Sequence, residues 1–393
     1  MSEWDVLSFS LRLNWQDGVA HTAKSMLSQL ARDRRILNFN PPREWRAVLR
    51  HPFAHPPRLY RVQDNLWHFE WGYLYPKFYR QLVAVRVTGF AARMCVQYLC
   101  RKLGLSSPIY LFWGPFQADL LPHLPRRFTV YYAYDNFEAY YVEREEWREH
   151  TRCRERLLAM HSDIAFAVSQ VLADVLREKR FQHVAYLPNG VDTELFMHGD
   201  IPPEPTDIQH IPHPRIAYVG GIYEKTSICV FITIASARPV WQLVFIGHSY
   251  IRSQEKRRDF QQLCELSNVH ILGTRSHSLI PAYMAKVDVG VALFDLDSSA
   301  FYCSPLKVYE YLAAGKPVVA TPIPEVVNMG DMVYTAETPE QFVAKIEQAL
   351  REDSPERQQQ RREWARQHSW ENRARQFVSI VETEYGRWRE GQK

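Results

Sequence analysis

The chain has 393 residues, a length that predicts two domains of about 150 to 200 residues rather than one. Hydrophobic residues make up 46% of it and charged residues 23%, which excludes a largely disordered or fibrous protein. The net charge is only +4, but residues 1–130 carry 18 Lys and Arg against 8 Asp and Glu. Such a basic region suits a nucleic acid, an anionic membrane or a phosphate-bearing acceptor, and an ordinary solvated surface explains it as well.

Signals for secretion and membrane spanning, and cysteine pairs for zinc binding, are absent from the sequence. No stretch reaches the roughly 18 apolar residues of a membrane span, and the N-terminus lacks a basic-then-apolar signal. The six cysteines have no CxxC spacing, which indicates free thiols in a reducing compartment. We therefore expect a cytoplasmic protein, either free or peripheral on the inner face of the membrane.

Short β-rich apolar runs alternate with helical patterns along the whole chain. This alternation predicts an α/β fold in which each of two Rossmann-like domains has a parallel sheet covered by helices. The predicted strands span residues 5–10, 35–38, 108–113, 128–133, 164–168 and 183–187 in the first half, and 215–219, 242–246, 269–272, 287–293 and 317–321 in the second.

Five prolines between His198 and Pro214 mark a linker, because proline interrupts helices and strands. We accordingly predict a first domain over residues 1–200, a linker over 201–214 and a second domain over 215–369. Residues 370–393 have a strong helical pattern and are predicted to cross back to the first domain.

The loop after the first strand contains Asn14, Asp17, Gly18 and His21. In an open parallel sheet such a loop lines the ligand crevice, so we expect Asn14, Asp17 and Gly18 to bind an acceptor. His21 is a candidate catalytic or phosphate-contacting residue, although a His at a helix start often only caps or packs.

Residues 71–104 are aromatic and basic, and contain no acidic residue. A helix of this kind either covers the sheet or rests on an anionic membrane surface, where it would suit a lipid-linked acceptor.

Asp135 follows the predicted strand 128–133 directly and should project into the crevice. A carboxylate there can act as a general base toward an acceptor hydroxyl, or it can merely cap the helix that begins near Phe137.

Residues 303–321, CSPLKVYEYLAAGKPVVAT, predict a helix with an anion-binding start. Ser304 is a good N-cap, Pro305 suits the first helical position, and Gly315 ends the helix before a buried strand. The free N–H groups and positive dipole end of such a start favour a diphosphate.

Lys307 and Glu310 lie on the same face of this predicted helix. Lys307 would add a full positive charge beside the phosphates, and Glu310 would accept hydrogen bonds from ribose hydroxyls. The alternative is an exposed ion pair between the two on a surface helix.

This helix resembles the donor-site helix of GT-B glycosyltransferases of the large family-four type. Three further segments resemble the family in order and spacing: VAYLPNGVDTELF near the end of the first domain, the glycine loop IAYVGGIYEK, and the base-binding segment NVHILGTRSHSLIPAYMAKVDVGVALF. The resemblance implies a GT-B fold, with two Rossmann-like domains facing a central cleft, and a nucleotide-sugar donor of the UDP or GDP type on the second domain.

The resemblance and the chemistry together assign the donor site. Glycines let backbone approach the pyrophosphate, Lys225 can neutralise the leaving group, and the turn at residues 273–275 can contact the base, although Gly220-Gly221 is also consistent with an ordinary turn. The expected donor-binding residues are Gly220, Gly221, Lys225, Gly247, Gly273, Thr274, Arg275, Ser304, Pro305, Leu306, Lys307 and Glu310.

Cys303 departs from the family pattern. Many retaining members carry two glutamates seven residues apart, and Cys303 occupies the position seven before Glu310. The departure shifts the resemblance toward teichuronic-acid-type transferases and the xanthan glucuronosyltransferase. In the xanthan glucuronosyltransferase, the position that Asp135 resembles is a catalytic aspartate. We therefore expect Asp135 to be the base of an inverting transfer.

The expected function is transfer of a sugar to a polysaccharide or lipid-linked glycan in bacterial cell-surface polysaccharide synthesis. A nucleotide-sugar epimerase and a non-catalytic binding protein are the alternatives. Asp295 and Asp297 resemble a metal-binding pair, but a solvated loop explains them and we predict no cofactor and no essential metal. No recognised nucleic-acid-binding module accompanies the basic region, so we expect no nucleic-acid partner.

Overall fold

The computed structural model describes residues 4–15, 17, 21–43, 48, 50, 56–72, 82–141, 144–198, 205–296 and 299–391, with only the backbone for 82–87. The first half forms one eight-stranded sheet in the order β3-β4-β2-β1-β5-β6-β7-β8. Its strands are β1 (Val6–Phe9), β2 (Ile36–Phe39), β3 (Arg58–Gln63), β4 (Leu66–Glu70), β5 (Ile109–Phe112), β6 (Thr129–Ala133), β7 (Ile164–Ala167) and β8 (Val184–Tyr186). Its α-helices are α1 (Thr22–Leu30), α2 (Leu82–Lys102), α3 (Glu145–His161) and α4 (Gln170–Glu178).

The second half forms a six-stranded parallel sheet in the order β11-β10-β9-β12-β13-β14. Its strands are β9 (Arg215–Val219), β10 (Gln242–Ile246), β11 (Val269–Gly273), β12 (Val289–Ala292), β13 (Val318–Ala320) and β14 (Tyr334–Thr335). The α-helices that follow β9 are α5 (Ile228–Ala237), α6 (Gln254–Cys264), α7 (Ile280–Ala285), α8 (Leu306–Ala313), α9 (Pro324–Val327), α10 (Pro339–Glu352), α11 (Pro355–Gln367) and α12 (Trp370–Gly391).

The central strands of both sheets are apolar and buried along their whole length, as expected when helices cover both faces of a parallel sheet. Every predicted strand is present with its ends within two residues of the prediction. The α/β prediction with two parallel-sheet halves is therefore confirmed.

Three strands were missed by the sequence analysis. β3 and β4 form an antiparallel hairpin that joins the edge of the first sheet, because β4 pairs in parallel with β2. The hairpin turns at Asn65, which has a φ of 62°, a conformation that Asn tolerates better than most residues. β14 has only two residues, too few to produce a recognisable pattern.

The last helix, α12, packs on the first half of the chain. Trp370, Phe377, Val381 and Tyr385 are buried in the same apolar core as the first sheet. The entry to α12 is tied to the first half by backbone hydrogen bonds between Val191 and its partners at residues 368 and 370. The predicted domain limits at 200 and 214 stay predictions, since residues 199–204 lie outside the described part of the chain.

Among the described residues, no helix is both long enough and apolar enough to cross a bilayer.

Candidate functional site

A cavity of about 340 Å³ lies between the carboxyl ends of the two sheets. Tyr134, Asp135 and Asn189 line it from the first half. The predicted donor-binding residues that line it from the second half are Gly220, Gly221, Lys225, Gly247, Thr274, Arg275, Ser304, Pro305, Leu306, Lys307 and Glu310. The structure thus brings together, in one cleft, residues that are far apart in the sequence.

The start of α8 differs from the prediction. The helix begins at Leu306, and Pro305 occupies the N-cap position without a side-chain capping bond. The Ser304 hydroxyl instead accepts from the Asn189 backbone N–H at 3.3 Å and contacts the Tyr309 hydroxyl at 3.1 Å. The assignments of Ser304 as N-cap and Pro305 as first helical residue were therefore wrong, because the Ser304 side chain is engaged by the first half of the chain.

The C-terminal end of α8 agrees with the prediction. Gly315 has a φ of 75°, and the Lys316 N–H donates to the Tyr311 carbonyl at 2.9 Å. This left-handed glycine ends the helix in the usual way and directs the chain into β13.

Two glycine loops meet beneath the start of α8. Gly247 has a φ of 153°, and a Cβ atom added there would lie 2.1 Å from the Gly220 carbonyl oxygen. Only glycine allows this close backbone approach. A Cβ atom on Gly220 would lie 3.3 Å from the Lys307 Nζ, so this loop also borders the lysine side chain.

The Lys307 ammonium lies 3.5 Å from the centroid of the Tyr218 ring. Burial lowers the pKa of Lys307 well below its usual value, and the nearby Lys225 lowers it further. A full charge at Lys307 stays a prediction. An anion beside it, such as a diphosphate, would favour the protonated form.

Lys225, Cys303 and Asp135 form a contact between the two halves of the chain. The Lys225 Nζ donates to the Cys303 Sγ at 3.4 Å, and that Sγ lies 3.7 Å from the Asp135 Oδ1. Burial would lower the pKa of Lys225, but Cys303 and Asp135 raise it above its usual value, which favours the ammonium form. Burial and Asp135 raise the pKa of Cys303 to about 12, which keeps the thiol neutral.

Asp135 is only 7% exposed and is held in place by local donors. Its carboxylate accepts from the Asn136 backbone N–H at 2.8 Å and from the Tyr140 hydroxyl. Because Asp135 faces Cys303, a glutamate at position 303 would place two carboxylates in close contact, where like charges repel. A carboxylate from the first half of the chain therefore lies beside position 303.

Glu310 is 8% exposed, and its Oε1 lies 2.7 Å from the His277 Nε2. Its position in the cleft excludes the alternative of an exposed pair with Lys307. Burial lowers the pKa of His277, but the hydrogen bond to Glu310 and the charge of Glu310 raise it. The pKa of His277 therefore lies above its usual value. His277 lines the cavity and was missed, although it lies within the segment that resembles the base-binding region.

The turn at residues 273–275 follows β11. Gly273 has a φ of 75°, and Thr274 and Arg275 line the cavity, whereas Gly273 is absent from its lining. The Arg275 guanidinium is bound to the Asp207 carboxylate at 2.6 Å and to the Tyr283 hydroxyl at 2.8 Å. Arg275 is therefore fixed in place by these two residues.

His21 caps α1 as the alternative interpretation expected. Its Nδ1 accepts from the Ala23 N–H at 3.1 Å, and its ring packs edge-on against Tyr134 with the centroids 5.2 Å apart. Burial, assisted by Lys24, lowers the pKa of His21 to about 4, so the imidazole is neutral near pH 7. A catalytic role for His21 stays a prediction.

Asn14 and Asp17, two of the predicted acceptor residues, do not line the cleft. Asn14 and Asp17 are exposed, and the Asp17 carboxylate pairs with the Lys24 ammonium at 2.5 Å. Gly18 lies outside the described residues.

The suspected metal pair is only partly described, since Asp297 lies outside the described residues. Asp295 forms an ion pair with Lys256. In the described part of the chain, no group of three or more His, Cys, Asp or Glu side chains is arranged to hold a metal ion.

The fold is that of the GT-B glycosyltransferases. Sucrose-phosphate synthase from Thermosynechococcus elongatus superposes with a TM-score of 0.71 at 16% identity, over 97% of this chain and 99% of that one. Anabaena Alr3699/HepE, solved in complex with UDP and glucose, superposes with a TM-score of 0.64 at 16% identity, over 95% of this chain and 99% of that one.

Residues 213–352 match the family described as "Glycosyl transferases group 1". The chain is also 29% identical over 205 residues to the "Putative teichuronic acid biosynthesis glycosyltransferase TuaH" of Bacillus subtilis (strain 168). That alignment spans 51% of this chain and 51% of the relative, so the chain matches about half of the relative's length. Residues 213–352 are therefore similar to group 1 glycosyltransferases, and they lie within a GT-B fold.

Proposed function

We propose that the protein transfers a sugar from a nucleotide-sugar donor, of the UDP or GDP type, to a polysaccharide or lipid-linked glycan acceptor. The observation that carries the proposal is the cleft in which Asp135 faces Lys225 and the start of α8. The group 1 domain match and the name of the teichuronic acid relative support this chemistry and point to cell-surface polysaccharide synthesis.

The donor diphosphate binds at the start of α8. Helix N-termini present free N–H groups and a partial positive charge, both of which favour phosphate oxygens. The loops at Gly220 and Gly247 supply further backbone contacts, while Lys225 supplies a full charge. Protonation of Lys307 on binding adds a second cation.

Glu310 holds the ribose, and the turn at Thr274 and Arg275 borders the base. His277 already orients one carboxylate oxygen of Glu310, which leaves the other for a ribose hydroxyl. A buried carboxylate binds a hydroxyl strongly when the orientation of the carboxylate is already fixed. The His277 contact therefore preorganises Glu310 for a ribose hydroxyl.

Asp135 acts as the general base. It takes the proton from the acceptor hydroxyl as that oxygen attacks the anomeric carbon from the face opposite the nucleoside diphosphate. The new glycosidic bond forms as the bond from carbon to the diphosphate oxygen breaks, and the anomeric configuration inverts. Lys225 stabilises the charge that develops on the leaving diphosphate.

No essential metal is part of the proposal. Lys225, Lys307 and the α8 dipole provide the positive charge that a divalent ion supplies in other transferases.

The α2 face supports peripheral attachment to an anionic membrane. Phe90, Met94 and Tyr98 are 64%, 48% and 61% exposed and form one stripe, because residues four apart lie on the same side of a helix. α2 contains no acidic residue, and exposed Arg93 lies beside the stripe. An apolar stripe with basic neighbours is complementary to anionic lipid headgroups.

Replacement of Glu310 by Ala should weaken UDP or GDP binding about 10- to 100-fold, since it removes hydrogen bonds to a charged group. Calorimetry with free nucleotide in excess chelator measures both this effect and the metal independence of the wild type. Glu340→Ala, at an exposed position in the first turn of α10, is the control and should bind normally. Unchanged affinity in Glu310→Ala contradicts the ribose assignment, and nucleotide binding that requires added metal contradicts the metal-free site.

The Asp135→Asn variant keeps the shape and hydrogen-bond acceptor of the side chain but cannot take a proton. Sugar turnover, measured as nucleotide release, should fall about 10²- to 10⁴-fold while nucleotide affinity is nearly unchanged. Asp174→Asn, an exposed carboxylate on α4, should retain full activity. If Asp135 only stabilised its loop, the Asn variant would stay active, because Asn serves that role equally well.

A triple variant with Ser at positions 90, 94 and 98 tests the membrane proposal. Wild type should co-sediment with vesicles containing phosphatidylglycerol but not with phosphatidylcholine vesicles, and the variant should lose most of this binding. Met160→Ser, which alters an exposed methionine on α3, is the control. If the wild type and the triple variant bind vesicles equally, the stripe does not contact lipid. The same conclusion follows if the wild type forms a dimer that the triple variant cannot form.

A further inference from the structure

A small polar pocket of about 130 Å³ lies at the edge of the first sheet, separate from the cleft. Three arginines surround it: Arg12 after β1, Arg43 after β2, and Arg58 at the start of β3. Glu70, the register partner of Arg58, ends β4 on the other side of the hairpin. Strands from four positions in the sequence therefore converge to place three cations and one anion around one pocket.

The three guanidinium groups are unusual in lacking partners. In the described part of the chain, none of them makes a hydrogen bond or an ion pair. By contrast, Arg61 on the same hairpin pairs with Asp64 at 2.6 Å. Burial lowers the pKa of Arg43 and the charge of Arg12 lowers it further, while the charge of Glu70 raises it, as expected for three charged groups that line one pocket.

The single carboxylate of Glu70 can offset only one of the three positive charges, so an added anion would reduce the repulsion that remains. The guanidinium group matches phosphate and carboxylate oxygens in a two-point geometry, and it is less strongly hydrated than an ammonium group. With Glu70 included, the pocket has a net charge of about +2, which would neutralise one phosphate dianion. Pro41, Pro56 and Trp71 give it rigid walls.

The pocket lies on the same side of the sheet as the catalytic edge. Arg12, Arg43 and Glu70 follow or end strands β1, β2 and β4 at their carboxyl ends, as Asp135 follows β6. β1 is two strands and β4 four strands from β6. At a spacing of about 4.8 Å per strand, the pocket is roughly 10 to 20 Å from Asp135.

We infer that Arg12, Arg43 and Arg58 form a subsite for an anionic group of the acceptor, either a phosphate or a sugar carboxylate. This inference rests on the proposed function only in naming the ligand as the acceptor. An acceptor bound there would extend along the edge of the first sheet. It would present to Asp135 a hydroxyl that lies one to a few sugar units from its anionic group.

The test is a calorimetric titration of protein already saturated with UDP, so that the donor site cannot bind the probe. Inorganic phosphate and glucuronate are titrated separately. At least one should bind the wild type, and the one that binds identifies the anion. Arg12→Gln, Arg43→Gln and Arg58→Gln should each weaken that binding about 10- to 100-fold, since each removes charged hydrogen bonds. Arg61→Gln is the matched control on the same hairpin and should bind normally.

Binding of neither probe, or equal binding in all four variants, would overturn the inference. Arg58 and Arg12 are exposed, so their variants report on the pocket even if Arg43→Gln does not fold. Failure of the proposed function is distinguishable: a protein that binds neither UDP nor GDP contradicts the donor site, whereas the effect of the arginine variants on anion binding is measured independently of it.

Discussion

The active cleft depends on one junction at Asn189, which ties the start of α8 to the first half of the chain. The Asn189 side chain donates to the Ser304 carbonyl at 2.7 Å and accepts from the Thr22 hydroxyl at 2.9 Å. Its own carbonyl accepts from the Arg373 Nε at 3.1 Å. One buried residue therefore ties the start of α8 to α1 through its side chain, and to the C-terminal helix α12 through its backbone carbonyl. Because misplacement by about 1 Å can cost roughly 100-fold in rate, such fixing matters for any group transfer across the cleft.

The electrostatics of the cleft follow from this fixed geometry. Asp135 and Lys225 come from opposite halves and meet through the Cys303 thiol, so opposite charges face each other across the cleft. Lys307, in contrast, is held over an aromatic ring with a depressed pKa. An anion beside Lys307, such as a diphosphate, would favour its protonated form.

The sequence predicted what local patterns determine, and it failed where distant residues decide. Buried strands and the Gly315 helix end were found because hydrophobic runs and left-handed glycines act locally. Ser304 was assigned wrongly as a cap because its true partner, Asn189, lies 115 residues away. His277 was missed because its role is set by contact with Glu310, 33 residues along the chain. The arginine pocket was invisible for the same reason, although the excess of basic residues in the first 130 positions was its signal.

The central claim is that Asp135 activates a nucleophile on the face of the sugar opposite the leaving nucleotide. Time-resolved proton NMR of slow donor hydrolysis, with water as the acceptor and an α-linked UDP-sugar as the donor, tests it most directly. If Asp135 acts in this way, the first free sugar released is the β anomer, before mutarotation mixes the two forms. Initial release of the α anomer would contradict it and would assign attack to the same face as the departing diphosphate.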